Sequence, residues 1–177
     1  MRALILKMEL SVDGFVGHDG EKPSWPLDYY DDELTAYELE LLGNAGVHAM
    51  GRVSYAGMAS YWQASDEPFA KPMNEIPKAV FSRTMRKATW PESTIHRDIE
   101  NGVRELKAQD GKPILAHGGA SFAQQLTRLG LVDEFRLTVH PVAFGDGRRL
   151  FGAQVELELL DIRRFATGSV AYTYVRR

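Results

Sequence analysis

Short apolar runs and helical repeats alternate along the first two thirds of the chain. Residues 3–10 are mostly apolar and lead into a polar turn, which is typical of a strand buried in the centre of a sheet. Similar apolar runs occupy residues 47–50 and 113–117, a strand with a polar end is predicted at residues 78–84, and a further short strand ends at Ile95. The pattern predicts buried strands separated by longer segments.

The segments between these strands carry apolar residues at helical spacing. The first predicted helix begins at Asp31 or Asp32, has acidic residues in its first turn and ends near Gly43. A second helix opens after Gly51, and two more are predicted over residues 99–110 and 120–129.

The last third of the chain alternates between apolar and polar residues. This alternation predicts antiparallel strands at residues 134–143, 155–162 and 169–176, with a turn at 166–168 between the last two. Alternating strands and helices followed by a run of strands predict an α/β fold. We therefore expect a mixed, mostly parallel central sheet with helices on its faces and an antiparallel C-terminal hairpin.

Composition and charge argue against several classes of function. The 177 residues, 44% of them hydrophobic, suffice for one core, so we expect a single domain over residues 1–177. A net charge of −3 without a basic stripe argues against nucleic acid. The chain has no apolar run near the ~18 residues of a membrane span and no signal peptide, so we expect a cytoplasmic protein. With no cysteine and no paired histidine spacing we expect no metal site, and the histidines are interpreted as packing or surface residues: His18, His48, His96, His117 and His140.

Paired glycines, Gly118 and Gly119, stand between an apolar strand and a predicted helix that begins with Ala120 and Ser121. Bare backbone N–H groups at a helix N-terminus form a binding site for phosphate. Glycine at such a turn also serves simply to allow a positive φ, so the motif needs support from other segments.

Two other strand ends provide that support. Gly51 allows close approach of the backbone, Arg52 supplies a permanent positive charge and Ser54 a hydroxyl at the start of the second helix. Ser82 and Arg83 follow the next strand. Ligands of such sheets bind beyond the carboxyl ends of parallel strands, where these residues are predicted to lie. Two arginines and two helix N-termini are more than a single diphosphate needs, so they favour a dinucleotide with an extra phosphate, NADPH, over NADH.

A long segment, residues 15–31, is rich in glycine, proline and turn signals and is predicted to form a loop that acts as a lid. Trp25 in this loop either covers the nicotinamide or substrate or is a packing anchor. The acidic residues that follow it are candidate proton donors, with Asp32 as the central one and water as the alternative: Asp28, Asp31, Asp32 and Glu33. Acids at a helix start also serve simply to complement the helix dipole.

The motifs taken together resemble the dihydrofolate reductase superfamily, in particular the branch that includes the C-terminal reductase domain of the bifunctional riboflavin-biosynthesis deaminase-reductase. The matching stretches lie in order along the whole chain, at residues 11–14, 47–55, 78–84, 117–122, 131–137 and 141–147. The resemblance implies a sheet of about eight strands and a homodimer. It also implies that residues 118–121 hold the cofactor pyrophosphate, that Arg52 and Ser54 serve its phosphate end, and that Ser82 and Arg83 face the adenosine ribose and its phosphate.

The function implied by this resemblance is NADPH-dependent hydride transfer to a C=N bond of a small pterin-like or pyrimidine-like heterocycle. The alternatives are the riboflavin-pathway 5-amino-6-(5-phosphoribosylamino)uracil reductase and an NADPH-binding sensor without turnover. Phe15 stands where the riboflavin reductases usually carry a lysine that helps to bind the substrate phosphate. At the position where true dihydrofolate reductases place their acid, an ungapped count back from Gly51 finds Thr35.

Overall fold

The chain is represented by a computed structural model, which describes residues 1–17 and 24–177. Residues 18–23, which include His18 and part of the predicted lid, lie outside the described residues.

An eight-stranded sheet forms the centre of the molecule. In chain order its strands are β1 (Leu4–Ser11), β3 (Val47–Gly51), β4 (Lys78–Phe81), β5 (Ser93–His96), β6 (Ile114–His117), β7 (Glu134–His140), β9 (Leu157–Arg164) and β10 (Val170–Arg176). Their order across the sheet is β5-β4-β3-β6-β1-β7-β10-β9. All neighbours are parallel as far as β7, whereas β10 is antiparallel to both β7 and β9. The predicted mixed sheet with an antiparallel C-terminal hairpin is confirmed.

Helices cover both faces of the sheet. They are α1 (Asp32–Gly43), α2 (Arg52–Trp62), α3 (Ala70–Glu75), α4 (Ile99–Ala108) and α5 (Ala120–Arg128). The side chains of β1 point alternately to the two faces of the sheet. Leu4, Leu6, Met8 and Leu10 pack on one face, in a core with α4 and α5. Ile5 faces the other core, which is closed by α1, α2 and α3.

Three small elements depart from the predicted pattern. A two-stranded ribbon pairs β2 (Phe15–Gly17) with β8 (Arg148–Arg149), and a 3-10 helix spans Trp25–Tyr29 within the predicted lid. The six-residue helix α3 lies where no helix was predicted from the sequence. Elements this short contain too few residues to show a repeat in the sequence.

Candidate functional site

The carboxyl ends of four adjacent parallel strands form one edge of the sheet. The strands are β4, β3, β6 and β1, which end at Phe81, Gly51, His117 and Ser11. The segments singled out in the sequence therefore lie side by side along this edge. Ligands of open α/β sheets bind at such edges.

Gly119, the residue before α5, has φ at +83°, a left-handed conformation that favours glycine. A Cβ on this residue would lie 2.8 Å from the Ser54 hydroxyl oxygen on α2. Gly51, the residue before α2, is similarly confined, because a Cβ there would lie 3.2 Å from the Phe122 Cβ on α5. The two helix N-termini are therefore packed against each other, and their backbone N–H groups are left free of side-chain caps.

Arg52 and Arg83 have exposed side chains at this edge. Neither guanidinium has a hydrogen bond or an ion pair within the part of the chain that the structure describes. Ser82 has a structural contact as well, because its hydroxyl accepts hydrogen bonds from the backbone N–H groups of Thr84 and Met85. Ser82 thus shapes the turn that presents Arg83 to solvent.

A cluster of charged side chains lies between β1 and α1, with Glu38 buried and Lys7 and Glu9 partly buried. Lys7 forms ion pairs with Glu9 and with Glu38, whose Oε2 lies 3.2 Å from the ammonium nitrogen. Thr138 on β7 donates a hydrogen bond of 3.1 Å to the other oxygen of Glu38. Oε2 of Glu38 is fully buried and has no hydrogen-bond partner among the described residues. Its polar contact is therefore the ion pair with Lys7.

The protonation states in this cluster are set by burial and by the lysine. Burial raises the pKa of Glu38 to about 7, and the nearby Glu9 carboxylate adds to the rise while Lys7 opposes it. Burial also acts to raise the pKa of Glu9, but Lys7 and His140 outweigh it and lower that pKa below its ordinary value. The carboxylates raise the pKa of Lys7 against the effect of burial. Glu9 and Lys7 are therefore charged near neutral pH, whereas Glu38 can bind or release a proton.

His140, which is fully buried on β7, ties this cluster to the lid. Its Nε2 lies 2.6 Å from Glu9 Oε2, and its Nδ1 lies 2.9 Å from the Ser169 hydroxyl. Tyr30, just after the 3-10 helix, donates a hydrogen bond of 3.0 Å to Glu9 Oε1. Glu9 thus binds the sheet to the segment that precedes α1.

Trp25 is a buried packing residue in this structure. Its side chain is 6% exposed, its indole N–H donates to the Val16 carbonyl, and its ring packs edge-on against His140 and Phe144. Of the two interpretations of Trp25, the contacts favour the packing anchor, and a role over the nicotinamide stays a prediction.

Asp32 lies at the exposed start of α1, and its neighbour Asp31 caps the helix by accepting a hydrogen bond from the Leu34 N–H. These positions suit complementation of the helix dipole. The buried acid of α1 is Glu38, six residues beyond Asp32. Asp32 as proton donor therefore stays a prediction to which the geometry adds no support.

The segment at residues 144–147 is held against the end of β1 by Asp13. Asp13 accepts hydrogen bonds from the Phe144 and Gly145 N–H groups, at 3.2 and 2.7 Å. Hydrogen bonds from Ser11 and from these backbone groups lower the pKa of Asp13 to about 2. The turn at residues 145–147 thus lies near the site, and it leads into β8, where the Arg149 guanidinium lies 4.5 Å from the centre of the Phe15 ring.

Five residues of the site were not predicted from the sequence to belong to it. They are two charged residues on a buried strand, one acid on the buried face of α1 and two buried histidines: Lys7, Glu9, Glu38, His117 and His140. Lys7 and Glu9 interrupt an otherwise apolar strand, and Glu38 lies four residues from both Leu34 and Leu42, which are buried. Charged residues at core positions were the signal that could have identified these three. For the histidines the sequence held no comparable signal.

Comparison with known families identifies the relationship. The family model of the RibD C-terminal domain matches residues 2–171. The chain belongs to the RibD C-terminal domain family. The resemblance to that branch is thereby confirmed.

Individual relatives agree with this assignment. YyaP of Bacillus subtilis (strain 168), an uncharacterised protein, is 31% identical over 181 residues, which cover 98% of this chain and 94% of YyaP. The fold is shared with a candidate riboflavin biosynthesis protein from Shewanella sp. PV-4, at a TM-score of 0.77, 21% identity and 99% coverage of both chains. A pyrimidine reductase-like protein from Corynebacterium diphtheriae has a TM-score of 0.72 at 15% identity, with 99% of this chain and 92% of that one covered.

Acinetobacter baumannii RibD also shares the fold, with a TM-score of 0.68 at 16% identity. The match covers all of this chain but only 58% of that longer one. Among the described residues, no helix has both the length and the apolar character needed to cross a membrane.

Proposed function

We propose that this protein is an NADPH-dependent reductase that transfers a hydride to a C=N bond of a small pterin-like or pyrimidine-like heterocycle. The observation that carries the proposal is the placement of two uncapped helix N-termini beside a buried cluster of titratable groups at one edge of the sheet. The first feature suits a cofactor with phosphates, and the second suits a polar ring that must be protonated.

The residues at the edge fit such a cofactor. The close approach of Gly119 to Ser54 leaves a backbone surface that any larger side chain would fill. In this proposal residues 118–121 and Gly51 bind the pyrophosphate through backbone N–H groups, with Arg52 and Ser54 beside them. Ser82 and Arg83 bind the ribose phosphate that distinguishes NADPH from NADH. When bound, NADPH supplies the hydride.

Glu38 is the proton donor in this proposal. Its pKa of about 7 keeps a substantial protonated fraction near neutral pH, and its Oε2 has no hydrogen-bond partner among the described residues. Lys7 and Thr138 hold the carboxyl in place from two sides. A buried acid with this pKa matches the requirement of general acid catalysis better than the exposed Asp32 does.

The riboflavin-pathway reductase is the second candidate. The names of the Shewanella and Acinetobacter proteins favour it, and so does one contact. Phe15 takes the place of the expected lysine, but Arg149 places a guanidinium on its ring. In this second candidate function, the Arg149 guanidinium would take over from the lysine the binding of the substrate phosphate.

Consumption of NADPH tests the proposal. The purified protein is incubated with NADPH and, in turn, dihydrofolate, a panel of pterins and aminopyrimidines, and 5-amino-6-(5-phosphoribosylamino)uracil. Oxidation with a heterocycle that lacks phosphate supports the leading function, whereas oxidation with the phosphoribosyl compound alone supports the second candidate. Tight binding of NADPH with no oxidation across the panel would instead identify a sensor.

We also propose that the protein is a homodimer formed through β9. This strand lies at the edge of the sheet and exposes 46% of Leu159, 55% of Leu160 and 45% of Ile162. Antiparallel pairing with the same strand of a second copy, centred between Leu160 and Asp161, would place Glu158 opposite the partner's Arg163. A long, apolar, unpaired edge strand is otherwise prone to aggregation.

A further inference from the structure

Two buried histidines on neighbouring strands form a direct hydrogen bond. The Nε2 atom of His117, at the end of β6, lies 2.7 Å from Nδ1 of His48 on β3. The other nitrogen of His48, Nε2, lies 3.3 Å from the Pro72 carbonyl oxygen. The His48 side chain is fully buried and His117 is 5% exposed.

The Pro72 carbonyl determines where the protons of this pair lie. A carbonyl oxygen only accepts hydrogen bonds, so Nε2 of His48 must carry a proton. Nδ1 of neutral His48 is then an acceptor, and Nε2 of His117 must be its donor. Nδ1 of His117 is left with a free lone pair. Both rings stay neutral, because burial lowers the pKa of His48 to about 4 and that of His117 well below its ordinary value.

The free nitrogen of His117 lies in the candidate site. His117 directly precedes Gly118 and is the register partner of Lys7 in the pairing of β6 with β1. Within the described part of the chain, its Nδ1 has no hydrogen-bond partner. The His117 side chain is 5% exposed, so the ring is not completely enclosed by the protein. It is a fixed acceptor that is available to a ligand.

We propose that His117 accepts, through Nδ1, a hydrogen bond from an N–H group of the substrate, and that His48 is the positioning residue that fixes this tautomer. The inference rests on the proposed reductase function and names the chemistry of its substrate. An acceptor at His117 beside an ammonium donor at Lys7 complements a lactam edge, in which a ring N–H adjoins a carbonyl. Oxopyrimidines and pterins, the heterocycles of the proposed function, carry such an edge.

The tautomers and the contact are measured by NMR of ¹⁵N-histidine-labelled protein with NADP⁺ bound, which prevents turnover. The probes are 5,6-diaminouracil and its N3-methyl derivative, in which the donor of the lactam edge is blocked. We expect Nε2–H tautomers for both histidines. The unmethylated probe should shift the His117 Nδ1 resonance, and the methylated probe should not.

Calorimetry on variants gives a second readout. In His117→Phe the acceptor is lost, so the unmethylated probe should bind about tenfold more weakly or worse, while the affinity for NADP⁺ stays unchanged. In His117→Asn an amide oxygen replaces Nδ1 as acceptor, and part of the lost affinity should return.

Several results overturn the inference. They are an Nδ1–H tautomer at His117, a His117 resonance that NADP⁺ alone already shifts, equal effects of the two probes, and no binding of the unmethylated probe to the NADP⁺-loaded protein. Failure of the protein to bind NADP⁺ at all contradicts the proposed reductase function instead, and the tautomer spectrum of the free protein still tests the histidine pair.

Discussion

Replacement of Glu38 by glutamine probes the buried acid without a substrate. A carboxyl whose pKa is higher in the folded state than in the unfolded chain binds its proton more tightly when folded. Its contribution to stability is complete below the unfolded pKa and is lost as the pH rises through the folded pKa. For Glu38 the window runs from the ordinary value of 4.5 to about 7.

The size of the effect follows from this window. A rise in pKa from 4.5 to about 7 corresponds to about 3–4 kcal/mol at 1.4 kcal/mol for each tenfold change in proton affinity. Glutamine has no proton to lose, so E38Q lacks this pH-dependent loss. The free energy of unfolding of E38Q minus that of the wild type should therefore rise by about 2–3 kcal/mol between about pH 5 and pH 8.

The assay is urea denaturation of both proteins at several pH values across this range. Glu40→Gln serves as the matched control, since Glu40 is an exposed acid on the same helix. The control difference should not change with pH. If the free energy of unfolding of E38Q minus that of the wild type also stays constant with pH, Glu38 does not titrate near neutral pH. That result would refute its assignment as the proton donor.

Three further changes test other parts of the structure. Gly119→Ala should lower the melting temperature by about 2–8 °C, since a left-handed alanine costs about 1–2 kcal/mol and its Cβ would contact Ser54. Adding Ser54→Ala should recover part of this loss. Gly118→Ala is the control and should lower the melting temperature much less, because a Cβ on Gly118 has open space around it. An equal loss for both glycines would contradict the packing of the two helix ends. Asp13→Asn should accelerate hydrogen exchange at the Phe144 and Gly145 amides, and unchanged exchange rates would show that Asp13 does not hold this turn. Leu160→Glu should convert a dimer to a monomer in light scattering, with Val53→Glu, another exposed apolar position, as control; a wild-type monomer would rule out the β9 dimer.

Much of the fold could be predicted because its sheet is buried and its helices have one apolar face. The strands β1, β3, β4 and β6 read as largely apolar runs, and α4 and α5 show clear helical spacing. The two-residue strand β8 and the six-residue α3 are held by tertiary contacts, which a local pattern does not show.

The residues at the carboxyl edge of the sheet were easier to predict than the charged cluster around Glu38 and the histidine pair. Glycines and arginines directly after apolar strands are local features, and the parallel topology brings them together. Glu38, by contrast, acquires its chemistry from Lys7 and from Thr138, which is 100 residues away along the chain. The His48–His117 pair likewise exists only because β3 and β6 are neighbours in the sheet. Such groupings depend on strand order, which the positions of single histidines do not reveal.

The central claim is that NADPH binds at the carboxyl edge through its extra phosphate, and calorimetric titration with NADPH and NADH tests it most directly. The account predicts that the wild type binds NADPH about 5- to 150-fold more tightly than NADH, because a charged hydrogen-bond set contributes about 1–3 kcal/mol. Arg83→Ala should abolish most of this preference, whereas Arg104→Ala, on the exposed surface of α4, should leave it intact. Equal affinity for both cofactors, or no binding of either, would contradict the account.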